Sequence, residues 1–368
     1  MIYALGKLLH PLYAPLSFLR LVEYLSARSI AAALTATVLT LVVMPRVIWY
    51  LQRRAFVDQQ RGTGIPSASD KAGTPVMGGA VVAGVVLVSC LLWCNLGNGY
   101  LFLALAGLVW FGLLGFVDDR AKLRSRSGDR GLSEGKKLLL QGLFAAALVA
   151  LLASPFSPLP DAEASRLYVP FVKTALVDSW WLYGPYVFLF VLLVGNSVNI
   201  ADGMDGLAIV PSVFVLSVLG VFGYLLGNAI WARYLVYPLL PGAGEIAVFC
   251  SAFAGAGIGV LWFNAYPAQV FMGDTGSLAI GGCAAVISVA LKQEALFIIL
   301  GGLFVAEALS SQIQDKVGIK WLGRRLFYRA PLHHGMQHKG LAETKVVVRL
   351  WIVSGILALA ALATLKLR

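Results

Sequence analysis

The sequence predicts an all-α polytopic membrane protein with about ten transmembrane helices, and three observations carry that prediction. Of 368 residues, 59% are hydrophobic and only 13% are charged, which excludes an ordinary soluble domain. The apolar residues gather into runs of roughly 17–25, each enough to cross a hydrocarbon core about 30 Å thick. Lys and Arg are shared unequally between alternate connections, as expected of a chain threaded back and forth through a bilayer.

Residues 1–26 carry Lys7, His10, Pro11, Pro15 and Arg20, which break any long apolar stretch. No cleavable signal peptide is expected there, and the segment reads as interfacial. The spans then run approximately over 27–51, 76–94, 100–117, 137–154, 181–200, 207–226, 246–263, 277–291, 294–312 and 346–365, the eighth being short. A basic connection, 313–345, precedes the last span; its "KWLGRRLFYR" suits an amphipathic surface helix or a plain topological signal equally. Trp180 and Trp181 fit an interfacial aromatic belt. With no repeat at a fixed period and no low-complexity tail, 1–368 reads as one integral-membrane domain. Cys90, Cys94, Cys250 and Cys283 lie in or beside spans with no His or acid at a ligand spacing, and read as buried structural thiols.

Assigning connections alternately, the segments 52–75, 118–137, 201–206, 264–276 and 313–345 hold 18 Lys and Arg, and the other side, with both termini, about half that number. The first side is therefore expected to be cytoplasmic and both termini periplasmic. The net charge of +11 is topological before anything else and does not call for nucleic acid.

Each basic-side connection also carries an unusual polar stretch: "SDKAGTPVMGG" (69–79), "GFVDDRAK" (115–122), "NIADGMDG" (199–206), "NAYPAQVFMGDTGS" (264–277) and "APLHHGMQHKG" (330–340). The outer connections, "SPFSPLPDAEASRLYVP" among them, look like turn-forming linkers. Asp118 and Asp119 end the third span, about 100° apart on a helix, so one can face the bundle and the other water or a neighbour. Asp202 and Asp205 would share a face if helical, with Gly203 and Gly206 admitting a ligand close to the backbone. Asp274, before Thr275, Gly276 and Ser277, marks a helix start.

Acids at one face beside Asn199 and Asn264 form an oxygen-rich site for a hard cation. Mg²⁺ suits it, since it favours one or two carboxylates together with substrate phosphates. Lys71, Lys122, Lys136 and Lys137 could hold phosphate charge. The chemistry indicated is phosphoryl transfer at a membrane surface. A secondary transporter is the reading from another class, but it would need polar groups at the midplane and outside, where only Glu307 and Glu294 stand. A membrane scaffold gives no reason for five polar motifs on one face.

In order, "KAGTPVMGG", "FVDD", "NSVNIADGMDGLA", "NAYPAQVFMGDTGSL" and "RAPLHHGMQHKG" resemble the motifs of the polyprenyl-phosphate N-acetylhexosamine-1-phosphate transferases over nearly the whole chain. "KAGTPVMGG" and the Pro-Leu-His-His loop resemble the phospho-N-acetylmuramoyl-pentapeptide branch. The resemblance implies ten helices, a homodimer and a cytoplasmic site in the bacterial inner membrane. It implies Mg²⁺-dependent transfer of phospho-N-acetylmuramoyl-pentapeptide from UDP to undecaprenyl phosphate, giving lipid I and UMP for peptidoglycan. A sister enzyme moving N-acetylglucosamine-1-phosphate is the nearest alternative.

By the same resemblance Asp118 and Asp119 match the family's paired aspartates, with Asp118 the candidate base or, in a covalent scheme, an aspartate the nucleophile. Asp274 matches the Mg²⁺ ligand, and Asp202 is expected beside it as the second. Lys71, Asn199, Asp202, Asp205, Asn264 and Phe271 match positions around the nucleotide, Phe271 resembling the aromatic that stacks on uracil. Lys122 and Lys137 match phosphate-binding residues, Lys137 fitting better than Lys136. His333 and His334 match the first two of three family histidines, where the third is replaced by Gly335.

Overall fold

The computed structural model describes residues 1–9, 20–54, 73–124 and 131–367. Helix is the rule because a bilayer core offers no water to backbone groups, so each apolar run must close its hydrogen bonds within itself. The elements are α1 (Ile2–Leu9), α2 (Leu25–Arg53), α3 (Gly79–Trp93), α4 (Gly99–Arg124), α5 (Glu134–Leu152), α6 (Asp161–Ala164), β1 (Arg166–Leu167), β2 (Val177–Asp178) and α7 (Trp180–Ala201). They continue with α8 (Ile209–Leu226), α9 (Ala229–Leu235), α10 (Glu245–Asn264), α11 (Gly273–Ala290), α12 (Phe297–Leu300), α13 (Gly302–Gln312), α14 (Leu332–His338) and α15 (Glu343–Ala363).

Among the described residues, eight helices are long and apolar enough to cross a membrane: α2, α4, α5, α7, α8, α10, α11 and α15. Two expected spans differ. The second, α3, has 15 residues. The ninth is interrupted at Gly301–Gly302, two successive poor helix formers, into α12 and α13, and α13 then runs on as a π-helical segment, Ile313–Trp321. The eighth is longer than expected, because the polar residues Gly273–Gly276 are already helical.

The centre of the bundle is α11, buried at every residue from Thr275 to Ala290. It packs chiefly against α4 and α7, while α10 packs against α2 and α8. Small residues set these distances, since between apolar helices in lipid the gain comes from close packing. A Cβ on Gly115 of α4 would lie 2.1 Å from the Asp274 carbonyl oxygen, and one on Gly79 2.2 Å from Gly276. Outward faces carry exposed Leu34, Phe102, Leu113, Leu193 and Trp262, the surface expected of a bundle immersed in lipid.

The ends of the bundle differ in kind. At one end lie the described parts of all five polar stretches. At the other, Arg28 of α2 grips Glu245 of α10 through two bonds of 2.8 and 2.7 Å, and Glu245 also accepts from the Asn95 N–H at 2.9 Å. The buried Lys292 donates at 2.8 Å to the Tyr183 hydroxyl and to the Ala164 carbonyl, and Tyr183 donates to Glu294. The connection read as a plain linker is more ordered than that: α6 and the β1–β2 hairpin pair Arg166 with Asp178 and Leu167 with Val177. Both chain ends share this end, with the N-terminal amine 3.3 Å from the Leu92 carbonyl and Lys366 stacked on Tyr234.

Candidate active site

The site begins with the alternation of the chain. Because successive helices run in opposite directions, the C-terminal turns of α4 and α7 meet the N-terminal turns of α5 and α11. Asp118 and Asp119 are both buried, so neither meets bulk water. Their adjacent positions send them to different tasks. Asp118 accepts from Lys137 Nζ at 2.7 Å and from the Leu132 N–H at 2.6 Å, and Lys122 Nζ lies 2.9 Å away. Asp119 turns to α11, accepting from the N–H groups of Asp274 (3.1 Å) and Thr275 (2.9 Å) and from the Thr275 hydroxyl (2.6 Å). A helix start exposes unpaired N–H donors that a carboxylate satisfies. Asp274 thus lies in the first turn of α11 without capping it; the cap is a residue of α4.

Asp274 Oδ2 meets Lys122 Nζ at 2.8 Å and Lys137 Nζ at 3.1 Å, and its Oδ1 accepts from Asn199 Nδ2 at 3.0 Å. Two carboxylates and two ammonium groups therefore form a closed quartet, each lysine bridging both acids. Lys136, the alternative weighed from sequence, is exposed. Beneath the quartet, Gln141 and Asn196 exchange reciprocal amide bonds of 3.1 and 2.7 Å. One turn from Lys137 on α5 and from Asn199 on α7, this pair ties the two helices together. The sequence did not single out Gln141 or Asn196, and it offered Thr275 and Ser277 only as marks of a helix start, although Asn199 reaches Ser277 at 2.9 Å; a polar side chain one turn from a candidate site residue is the signal for the first two.

The 202–206 segment is a turn and not a helix, so Asp202 and Asp205 do not share a face. Asp202 follows the last residue of α7 with φ −80 and ψ 58, and Gly206 adopts φ +72, a left-handed conformation natural to glycine. Withdrawal from water, then the charges of Asp274, Asp119 and Asp205, push the Asp202 carboxyl up to about 8. Asp205 and Asn264 brace the neighbouring loop. Asp205 Oδ2 accepts from the Ala268 N–H at 3.0 Å; Asn264 accepts from the Gly206 N–H at 3.0 Å and donates to the Val270 carbonyl at 2.8 Å. These bonds seat half-buried Phe271, whose N–H donates to the Pro75 carbonyl at 2.8 Å. His333 is buried against this turn. His334 is half-buried, and burial with the adjacent His333 ring pushes it down to about 4. Lys71 lies outside the described residues.

The donor set bears on the expected Mg²⁺. Among the described residues no three His, Cys, Asp or Glu side chains gather closely enough to hold an ion by themselves. Asp274 and Asp202 supply the one or two carboxylates that suit a hard cation taking most of its ligands from phosphate and water, and such an ion would displace the ammonium groups from Asp274 Oδ2.

Against known proteins, residues 101–292 match the model of glycosyl transferase family 4. The chain is 44% identical over 361 residues to the phospho-N-acetylmuramoyl-pentapeptide-transferase of Maridesulfovibrio salexigens, covering 97% of this chain and 98% of that one. It is 44% identical over 361 residues to that of Solidesulfovibrio magneticus (98% and 99% covered), and 43% identical over 362 residues to that of Desulfovibrio desulfuricans (98% and 99% covered). The stretches that form the quartet fall inside the matched region, and the similarity runs through both ends of the chain. The chain therefore belongs to glycosyl transferase family 4 and, within it, to the phospho-N-acetylmuramoyl-pentapeptide transferases.

Proposed function

We propose that this protein transfers phospho-N-acetylmuramoyl-pentapeptide from its UDP carrier to undecaprenyl phosphate, forming lipid I and UMP in peptidoglycan synthesis. The observation that carries this reading is the quartet of Asp118, Lys122, Lys137 and Asp274 at one end of the bundle, in a chain similar end to end to proteins of that name. The protein sits in the bacterial inner membrane with the quartet at the cytoplasmic face and both termini periplasmic. Ten crossings result when short α3 and the interrupted α12–α13 pair are added to the eight long helices. Its positive-inside charge bias supports that orientation, and family resemblance supports a homodimer.

The two substrates explain the placement. One is a soluble nucleotide and the other a lipid phosphate, so the reacting atoms must meet where the helices reach the surface. An oxygen of the lipid phosphate attacks the sugar-linked phosphorus, the bond from that phosphorus to the UMP oxygen breaks, and UMP leaves. Phosphoryl transfer of this kind depends on positioning and on neutralising phosphate charge. Lys122 and Lys137 supply that neutralisation, and incoming phosphate oxygens compete with Asp118 and Asp274 for their ammonium groups. Asp118, freed from them, keeps the attacking phosphate deprotonated. Asp274 and Asp202 would hold Mg²⁺, which supplies further charge neutralisation at the pyrophosphate when bound. Asn199 fixes the Asp274 carboxylate, Asp119 fixes the backbone beneath it, and the loop braced by Asp205 and Asn264 presents Phe271 to the uracil. His333 and His334 line the same mouth.

The test is donor choice by purified protein in detergent with undecaprenyl phosphate. UMP release from UDP-N-acetylmuramoyl-pentapeptide and none from UDP-N-acetylglucosamine is expected; the reverse preference would move the chain to the sister reaction.

A further inference from the structure

An acid stands in α13 with no part in the scheme above. Glu307 lies in the apolar run "GLFVAEALSSQ" and is wholly buried. A buried carboxylate is retained only where something pairs with it. Here the partner comes from 26 residues on: His333 Nδ1 lies 3.1 Å from Glu307 Oε2, and the His333 backbone N–H lies 3.2 and 3.4 Å from the two carboxylate oxygens. Glu307 thus holds the start of α14 through its backbone and lies within ion-pair distance of Nδ1, without an aligned hydrogen bond to the ring.

The other side of the ring faces the site. Both ring nitrogens of His333 are buried without a hydrogen-bond partner, and a Cβ on Gly203 would sit 2.3 Å from Nε2. Gly203 itself is exposed and follows Asp202 directly. Glycine at 203, expected from sequence to admit a ligand to the backbone, is needed first to admit this imidazole. One ring nitrogen therefore lies beside a carboxylate and the other is packed beneath the exposed Gly203. A carboxylate at Nδ1 keeps the proton there, which leaves Nε2 of the neutral ring an acceptor and makes it a donor when the ring is charged.

We infer that Glu307 is a positioning residue for the transfer reaction, holding His333 with Nδ1 toward itself and Nε2 against Gly203, so that the imidazole supports the turn that carries Asp202. This rests on the proposed function for its chemistry, but its geometry can be tested separately. In UMP-release kinetics with the full-length protein, Glu307→Ala should lower kcat by about 10–100-fold, the range for partners that orient a functional histidine, with KM for the donor within about threefold. In a His333→Ala background the same change should cost less than about threefold, because the two act as one unit. Glu307→Gln, which still accepts from Nδ1–H, should keep kcat closer to wild type. An equal cost in both backgrounds, or a kcat for Glu307→Ala within threefold of wild type, would overturn the inference.

A second arm needs no turnover. With ¹⁵N-labelled histidine, and the four histidines assigned by substitution, the His333 ring should be the Nδ1–H tautomer in wild type and in Glu307→Gln but not in Glu307→Ala. A ring that is Nε2–H in wild type, or indifferent to Glu307→Ala, would overturn it. If wild type releases no UMP, the assigned reaction fails alone and this arm still decides the Glu307–His333 pairing.

Discussion

Asp119→Ala separates the two jobs that neighbouring aspartates can have. The carboxylate satisfies two backbone donors and one hydroxyl at the start of α11, at 3.1, 2.9 and 2.6 Å, and is buried. Hydrogen bonds to a charged group contribute about 1.5–3 kcal/mol each, but truncated helix caps cost only about 0.5–2 kcal/mol in all, since the freed turn relaxes. With three donors left in a site that admits little water, we expect a loss of about 2–4 kcal/mol. One of those donors is the N–H of Asp274, so the first turn of α11 shifts; a displacement near 1 Å at a reacting group costs roughly 100-fold in rate. Thermal unfolding in detergent and UMP release, measured on one preparation, should therefore fall together. Asp274→Asn should instead lose turnover with little change in melting. An Asp119→Ala protein that melts like wild type yet has no turnover would refute the reasoning and make Asp119 a reacting group.

Other outcomes follow from the same contacts. Lys137→Met removes a bridge to both acids and should reduce kcat/KM about 100-fold, as loss of a preorganised charge does, while Lys136→Met stays near wild type; steady-state UMP release compares them. Asp202→Ala should abolish transfer in a protein that still folds, as judged by its melting curve. The Asp202 carboxyl, held near 8 in the folded chain, binds a proton that the unfolded chain has released. Its contribution is full below about pH 4 and is lost as pH rises through 8. Melting temperature should therefore fall from pH 7 to 9 more in wild type than in Asp202→Asn; His334, held near 4, is neutral throughout that window. At the far end, Glu245→Ala strands the buried Arg28 and should cost about 3–5 kcal/mol, without changing turnover per folded molecule.

Much of the fold was legible because apolar runs are long and a bilayer permits few backbone solutions. The interruption at Gly301–Gly302 was not, since hydropathy averages across it, and neither was the continuation of α13 as a π-helical segment. For the site, alternation alone brought Asp118, Asn199 and Asp274 to one end. The division of labour between Asp118 and Asp119 was hidden, because identical neighbours differ only in where α11 begins relative to them. Asp202 and Asp205 would share a face only in a helix; the segment is a turn, with left-handed Gly206, and gives them separate duties. Glu307 read as an isolated acid within a span, since its partner is 26 residues away and joined to it by folding alone.

The most direct measurement is UMP release from UDP-N-acetylmuramoyl-pentapeptide by the purified protein, with and without undecaprenyl phosphate and Mg²⁺, beside Asp274→Asn. The account predicts release that requires both lipid and metal and fails in the variant. Release by Asp274→Asn within a few-fold of wild type, or silence of the wild-type protein with lipid and metal present, would contradict it.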